Sequence, residues 1–222
     1  MIVVNELMSP DVFRGIAGVV FDCDGVLVDS YASNVWYYNA FRETFGLGPM
    51  DAAGERYVHC HNVYESLRHV IPEEHFPKAW EMRKGFDYRR LLPHLRLEPG
   101  LRRLLLRLRA PGIRLAVNTS RTTTMDMLLA HLALTDFFQP VVTASVVRHP
   151  KPHPEGMHAI GQAWGAPMRE IVFVGDSRVD EATAQAAGAR FWAYKDERLA
   201  SAELFVPDFY ALTAALARAL CI

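Results

Sequence analysis

A chain of 222 residues, half of them apolar, can bury a full α/β core and still have material for a smaller second unit. Its 24 Lys and Arg against 25 Asp and Glu create no overall field for nucleic acid or an anionic membrane surface, which leaves a small soluble molecule as the expected partner. Three cysteines, Cys23, Cys60 and Cys221, form no CxxC pair and are odd in number, which argues against a disulfide framework and for a reducing compartment, the cytoplasm by default.

The N-terminal stretch MIVVNELMSPDVF has no basic segment followed by a long apolar run, and no stretch reaches the roughly 18 apolar residues of a membrane span. Its first dozen residues read as an edge strand or a loose arm. Residues 17–21 form a short valine-rich run that ends in Asp-Cys-Asp-Gly, the pattern of a buried strand running into a loop. Residues 31–94 show one apolar stripe of Tyr38, Phe41 and Phe45 and another of Cys60, Val63, Leu67 and Val70. No strand signal separates the two stripes, so this stretch is expected to be a helical insertion with Tyr37, Tyr38 and Tyr64 in its core.

Beyond Glu98-Pro99-Gly100, Leu101, Leu104, Leu105 and Leu108 recur at helical spacing and leave the arginines between 102 and 114 on the opposite, solvated face. Apolar runs at 113–117, 141–144, 171–174 and 190–193 then alternate with helical patterns carried by Met125, Leu128, Leu129 and Leu132, by Met157, Ile160 and Trp164, and by Val179, Ala182 and Ala186, the last closed by Gly188. Such alternation calls for a doubly wound, mostly parallel α/β sheet. The expected domains are a catalytic core of residues 1–30 and 95–222 with a helical cap at 31–94.

Phosphoryl transfer needs a nucleophile, a divalent cation, fixed donors for the equatorial oxygens and a proton donor for the leaving group. Asp22 and Asp24, where the first core strand ends, offer a carboxylate nucleophile and a second carboxylate for acid/base work, and Gly25 permits a tight turn after them. Asp176 offers the hard oxygen that magnesium prefers. Thr119 offers a hydroxyl, and Lys151 a point positive charge. Thr119 and Ser120 are also suited to cap the following helix. His59 and His61 lie at i and i+2, positions that diverge on a helix, so they do not read as a zinc pair. Cys23 is expected to point away from the two aspartates.

The segment FDCDGVLVDS at 21–30 resembles the first motif of the haloacid dehalogenase superfamily in its phosphatase form with two aspartates. NTSR at 118–121, KPHPE at 151–155 and GDSRVDEATAQAAG at 175–188 resemble the second, third and fourth. Order and separation match as well, and the insertion is similar in size and place to the helical cap of the phosphoglycolate phosphatase and β-phosphoglucomutase branch.

The resemblance implies a Mg2+-dependent phosphatase acting on a small phosphorylated metabolite. Asp22 would form an aspartyl-phosphate, and Asp24 would protonate the leaving oxygen and then activate water. Thr119 and Lys151 would hold the phosphoryl oxygens, with Ser120 beside them. The Asp22 side chain, the Asp24 backbone carbonyl and Asp176 would bind the metal, and Gly25, Ser177 and Asp180 would support the site. Crowding of carboxylates would raise the proton affinity of at least one of them, which would suit Asp24 as the acid. Two features depart from the family's pattern: Asn118 stands before Thr119 where a more apolar residue is expected, with Arg121 close behind as a donor for a second anionic group of the substrate, and His59-Cys60-His61 stands in the mobile cap where relatives often carry a glycine, with His59 and His61 as candidate substrate contacts. The chain would act as a monomer or homodimer.

Phosphoryl passage between sugar hydroxyls, as in β-phosphoglucomutase, is the alternative reaction, and an inactive interaction module a remoter one. A phosphonate-cleaving Schiff base is disfavoured because Lys78 and Lys84 lack a recognisable context. A signalling receiver is disfavoured by chain length and by the insertion.

Overall fold

The computed structural model describes residues 1–5 and 8–219, and in it the apolar runs at 17–21, 113–117, 141–144, 171–174 and 190–193 become buried strands of one large sheet, joined by the short strand of residues 204–206 and the exposed edge strand of residues 2–3. They are β1 (Ile2–Val3), β2 (Gly18–Phe21), β5 (Arg114–Thr119), β6 (Val141–Thr143), β7 (Ile171–Gly175), β8 (Arg190–Tyr194) and β9 (Leu204–Val206); two short strands, β3 (Val28–Asp29) and β4 (Arg96–Leu97), form a separate two-stranded sheet. The large sheet has the order β1-β9-β8-β7-β2-β5-β6, and every pairing in it is parallel. Val19, Val20 and Phe21 of β2 are wholly inaccessible to solvent, and burying each such side chain contributes about 1.5–3 kcal/mol. A strand so placed needs continuous apolar character rather than alternation.

Nine helices accompany the strands among the described residues. They are α1 (Tyr31–Thr44), α2 (Ala52–Cys60), α3 (Val63–Val70), α4 (Phe76–Met82), α5 (Leu101–Arg109), α6 (Met125–His131), α7 (Glu155–Trp164), α8 (Arg178–Ala187) and α9 (Phe209–Ala219). No helix of the described residues is long and apolar enough to cross a membrane. The chain divides into two compact units, one of Met1–Val28 with Leu97–Ile222 and one of Asp29–Arg96.

The first unit is the doubly wound sheet. From β2 the chain passes to β5 and β6 on one side, then returns to place β7, β8 and β9 on the other. The winding therefore reverses at β2, and the C-terminal ends of strands flanking such a reversal leave a crevice open for ligands. Of the five leucines of α5, the four at helical spacing, Leu101, Leu104, Leu105 and Leu108, are buried as that spacing predicts, and Leu106 is exposed. Ile2 and Val3 of the N-terminal stretch pair with Leu204 and Phe205 as an edge strand.

The face of α8 departs from expectation. Asp180, Thr183, Ala184 and Ala187 are its buried residues, and Val179 is 41% exposed. Asp180 is held inward by the Lys151 ammonium and by its cap with Ser177, and the small residues Ala184 and Ala187 are buried on the same helix.

The second unit is helical around a core that includes Tyr37, Tyr38, Phe41, Leu67, Val70 and Phe76. Here the stripe expected from Cys60 to Val70 is divided. Asn62 caps α3 by accepting from the Glu65 N–H at 3.0 Å, so α2 and α3 are separate helices and Val63 is 40% exposed. The Cys60 side chain lies outside the described residues. Tyr64 is exposed, unlike Tyr37 and Tyr38, its ring set edge-on to Phe76 and Trp80.

Candidate active site

Three carboxylates and one ammonium meet at the C-terminal edge of β2 and β7. Asp22 follows β2 directly, and its N–H donates to the Val174 carbonyl at 2.9 Å, so the central ladder carries the residue to its position. Lys151 Nζ donates to Asp22 Oδ1 at 2.7 Å and to Asp180 Oδ1 at 2.6 Å. Its side chain is 4% exposed, and that of Asp180 is fully buried. A buried ammonium bonded to two carboxylates is fixed in a way that a surface lysine is not.

Local sequence explains how Asp180 is held. Ser177 caps α8 by accepting from the Asp180 N–H at 3.2 Å, while Asp180 Oδ2 accepts from the Ser177 N–H at 3.2 Å and hydroxyl at 2.6 Å. This reciprocal cap leaves Oδ1 for Lys151. Gly175 allows the approach, since a Cβ there would lie 2.3 Å from that of Asp180.

Asp176 completes the cluster. Ligand oxygens of Asp22, Asp176 and Asp180 lie within 4.8 Å of one another. Burial, with repulsion from Asp22 and Asp180, pushes the Asp176 carboxyl up to about 8. Burial pushes Asp22 up to about 7, partly offset by the positive charge of Lys151 and reinforced by the negative charge of Asp180. Crowding and burial together thus raise the proton affinity of Asp22 and Asp176. Gly25, at φ +78°, turns the loop against Asp176 so closely that a Cβ would lie 1.9 Å from its Oδ2. Once all three carboxyls are ionised, one ammonium among them leaves excess negative charge, and an all-oxygen donor set of that kind fits a hard divalent cation such as Mg2+.

Asp24 turns away from this cluster. Its Oδ2 accepts from Arg121 Nε at 2.7 Å and its Oδ1 from Arg121 Nη2 at 2.6 Å, while Arg121 Nη1 donates to Thr124 Oγ1 at 3.2 Å. Arg121, expected to face the substrate, is occupied by the second aspartate instead. The reason is topological: β5 is hydrogen-bonded to β2, so the loops leaving the two strands are neighbours.

Thr119 is buried at the end of β5, and its Oγ1 accepts from the Arg121 N–H at 3.1 Å. Ser120 is exposed beside it. Neither caps the next helix, because α6 begins at Met125 with Thr124 as its cap residue. Cys23 is buried, and burial followed by the nearby Asp24 charge pushes its thiol well up, which leaves it protonated and inert.

His59 and His61 belong to the helical unit and have different surroundings there. The His59 ring lies 5.1 Å from that of Tyr31, and the His61 ring stacks on Tyr57 at 3.8 Å.

One group beside the cluster had no sequence signal. Glu98 is buried and accepts from the Tyr194 hydroxyl at 2.8 Å and Lys195 Nζ at 2.7 Å. Tyr194 and Lys195 line a cavity of about 500 Å3 together with Asp176. A larger cavity, about 730 Å3, is lined by Arg114, Phe138 and Trp164 and contains none of the clustered residues.

A sequence model of the haloacid dehalogenase-like hydrolases matches residues 19–194. The phosphoglycolate phosphatase of Chromobacterium violaceum is 33% identical over 207 residues, covering 87% of this chain and 93% of that protein. That of Yersinia pestis is 31% identical and covers 79% of each. The crystal structure of a haloacid dehalogenase superfamily hydrolase of subfamily IA from Geobacter sulfurreducens superposes with a TM-score of 0.83 at 34% identity, covering 91% of this chain and 97% of that one. The chain belongs to the haloacid dehalogenase-like hydrolases, as a phosphatase of that family.

Proposed function

We propose that this phosphatase hydrolyses a small phosphorylated metabolite through a phosphoryl group carried transiently on Asp22, with Mg2+ at Asp22 and Asp176. The observation that supports it most is the Lys151 ammonium bonded to both Asp22 and Asp180 beside Asp176. Asp22 would attack phosphorus as the ester P–O bond breaks, and Asp24 would give a proton to the departing oxygen. Water would then attack the acyl phosphate with Asp24 taking its proton, releasing inorganic phosphate and restoring Asp22. Lys151, and Thr119 at the end of the adjacent strand, would neutralise and hold the phosphoryl oxygens. The metal would supply further positive charge against the phosphate. His59 and His61 are the first residues of the helical unit to replace in a search for selectivity.

Relatives named phosphoglycolate phosphatase make phosphoglycolate the first substrate to test. Phosphate release from it and from p-nitrophenyl phosphate is expected with Mg2+ and not after chelation. Asp22→Asn is expected to lower turnover by at least about three orders of magnitude, as removing a nucleophile does elsewhere. Full activity in that variant would remove Asp22 from the mechanism, and interconversion of sugar phosphates without phosphate release would replace hydrolysis by a mutase reaction.

A further inference from the structure

The loop that delivers Lys151 carries a second group of metal-ligating side chains, outside the carboxylate cluster. In the run His149-Pro150-Lys151-Pro152-His153-Pro154-Glu155, ligand atoms of His149, His153 and Glu155 lie within 4.8 Å of one another. His149 Nδ1 is 3.0 Å from Glu155 Oε2, and the two imidazole rings lie 4.6 Å apart. The Glu155 carboxylate is already anchored: Oε1 accepts from the Arg148 N–H at 2.8 Å and Oε2 from the His149 N–H at 3.0 Å. His153 Nδ1 accepts from the Glu155 N–H at 3.2 Å, a bond that its exposed ring gives up for that nitrogen to bind an ion.

We propose that His149, His153 and Glu155 form a second cation site, selective for a borderline transition ion of the Zn2+ class. Two imidazole nitrogens and one carboxylate oxygen match the donor preference of such ions, with water completing the shell, whereas the all-oxygen cluster at Asp22 and Asp176 suits a hard ion. Alternation of the ligands with three prolines, each fixing its own φ, lowers the ordering cost of binding. Both histidines are exposed, so their rings can close the remaining distance at little cost in packing.

The full-length protein, held in excess Mg2+ to occupy hard-ion sites, is titrated with Zn2+ by calorimetry and with Co2+ by visible absorption. One equivalent is expected to bind, with Co2+ giving the intense d–d bands of a low-coordinate nitrogen and oxygen site. His149→Ala and His153→Ala should each weaken binding by more than about tenfold, at least the loss that outer-shell changes cause, while Asp176→Asn should leave the titration unchanged. Absence of binding, unaltered binding in the double histidine variant, or loss of binding in Asp176→Asn would each overturn the site. In the first two cases the Glu155 contacts serve only to close the loop. The outcome is independent of whether the phosphatase mechanism proposed above holds.

Discussion

Arg121 grips Asp24 with two parallel hydrogen bonds of 2.7 and 2.6 Å across 97 positions of sequence. A forked guanidinium fixes both distance and plane of a carboxylate, which a lysine cannot do. Because the Asp24 side chain is 41% exposed, the pair matters more for orientation than for stability.

Arg121→Lys is therefore expected to fold normally and to lose about ten- to a hundredfold in kcat, part of what a positioned acid/base group supplies. Steady-state kinetics check this. A rise in KM at constant kcat would instead make Arg121 a substrate contact.

Lys151→Met should destabilise the metal-free protein by about 3–5 kcal/mol, because Asp22 and Asp180 would lose their shared buried counter-charge. Mg2+ should return part of that stability, since a bound cation replaces some of the missing positive charge. Urea unfolding in chelator and in Mg2+ measures both, and equal losses in the two conditions would show that metal and Lys151 do not share the same carboxylates.

Gly25→Ala places a Cβ 1.9 Å from Asp176 Oδ2 at a backbone φ of +78°. The left-handed conformation alone costs about 1–2 kcal/mol, and the clash displaces Asp176 or the loop. Activity and Mg2+ affinity should fall together, beyond what the shift in melting temperature accounts for. A variant with wild-type Mg2+ affinity would show that the contact is unimportant.

The pH dependence of stability follows from the raised carboxyls. Asp22 and Asp176, near 7 and 8 in the folded metal-free protein, ionise near 3.9 when unfolded. From about pH 4 to 8 the folded state binds more protons, so stability falls as pH rises. Melting temperature in chelator should be lower at pH 8.5 than at pH 5.5. Added Mg2+ should raise it more at the higher pH, where no proton need leave. A metal-free melting temperature that climbs with pH over this range would contradict the burial of the pair.

Strand ends and the acidic and basic residues placed on them were legible because each is a local pattern. Apolar runs end directly before Asp22, one residue before Thr119 and one residue before Asp176, and the chain there leaves a buried sheet. The leucine face of α5 was legible for the same reason, since one period decides it. The inward face of α8 was not, because Asp180 is buried by its bond to Lys151, 29 positions away. Nor did short β9 stand out, since a three-residue strand carries too little periodicity to read.

By itself, then, the order of residues determined the parallel sheet and the identity of the groups at its C-terminal edge, because burial on both faces demands unbroken apolar runs and chemistry can sit only where they end. Tertiary structure alone decided which charge meets which: Lys151 with Asp22 and Asp180, Arg121 with Asp24, Glu98 with Tyr194 and Lys195. Coulomb attraction depends on distance through a low-dielectric interior, and that distance exists only once β2 lies between β5 and β7.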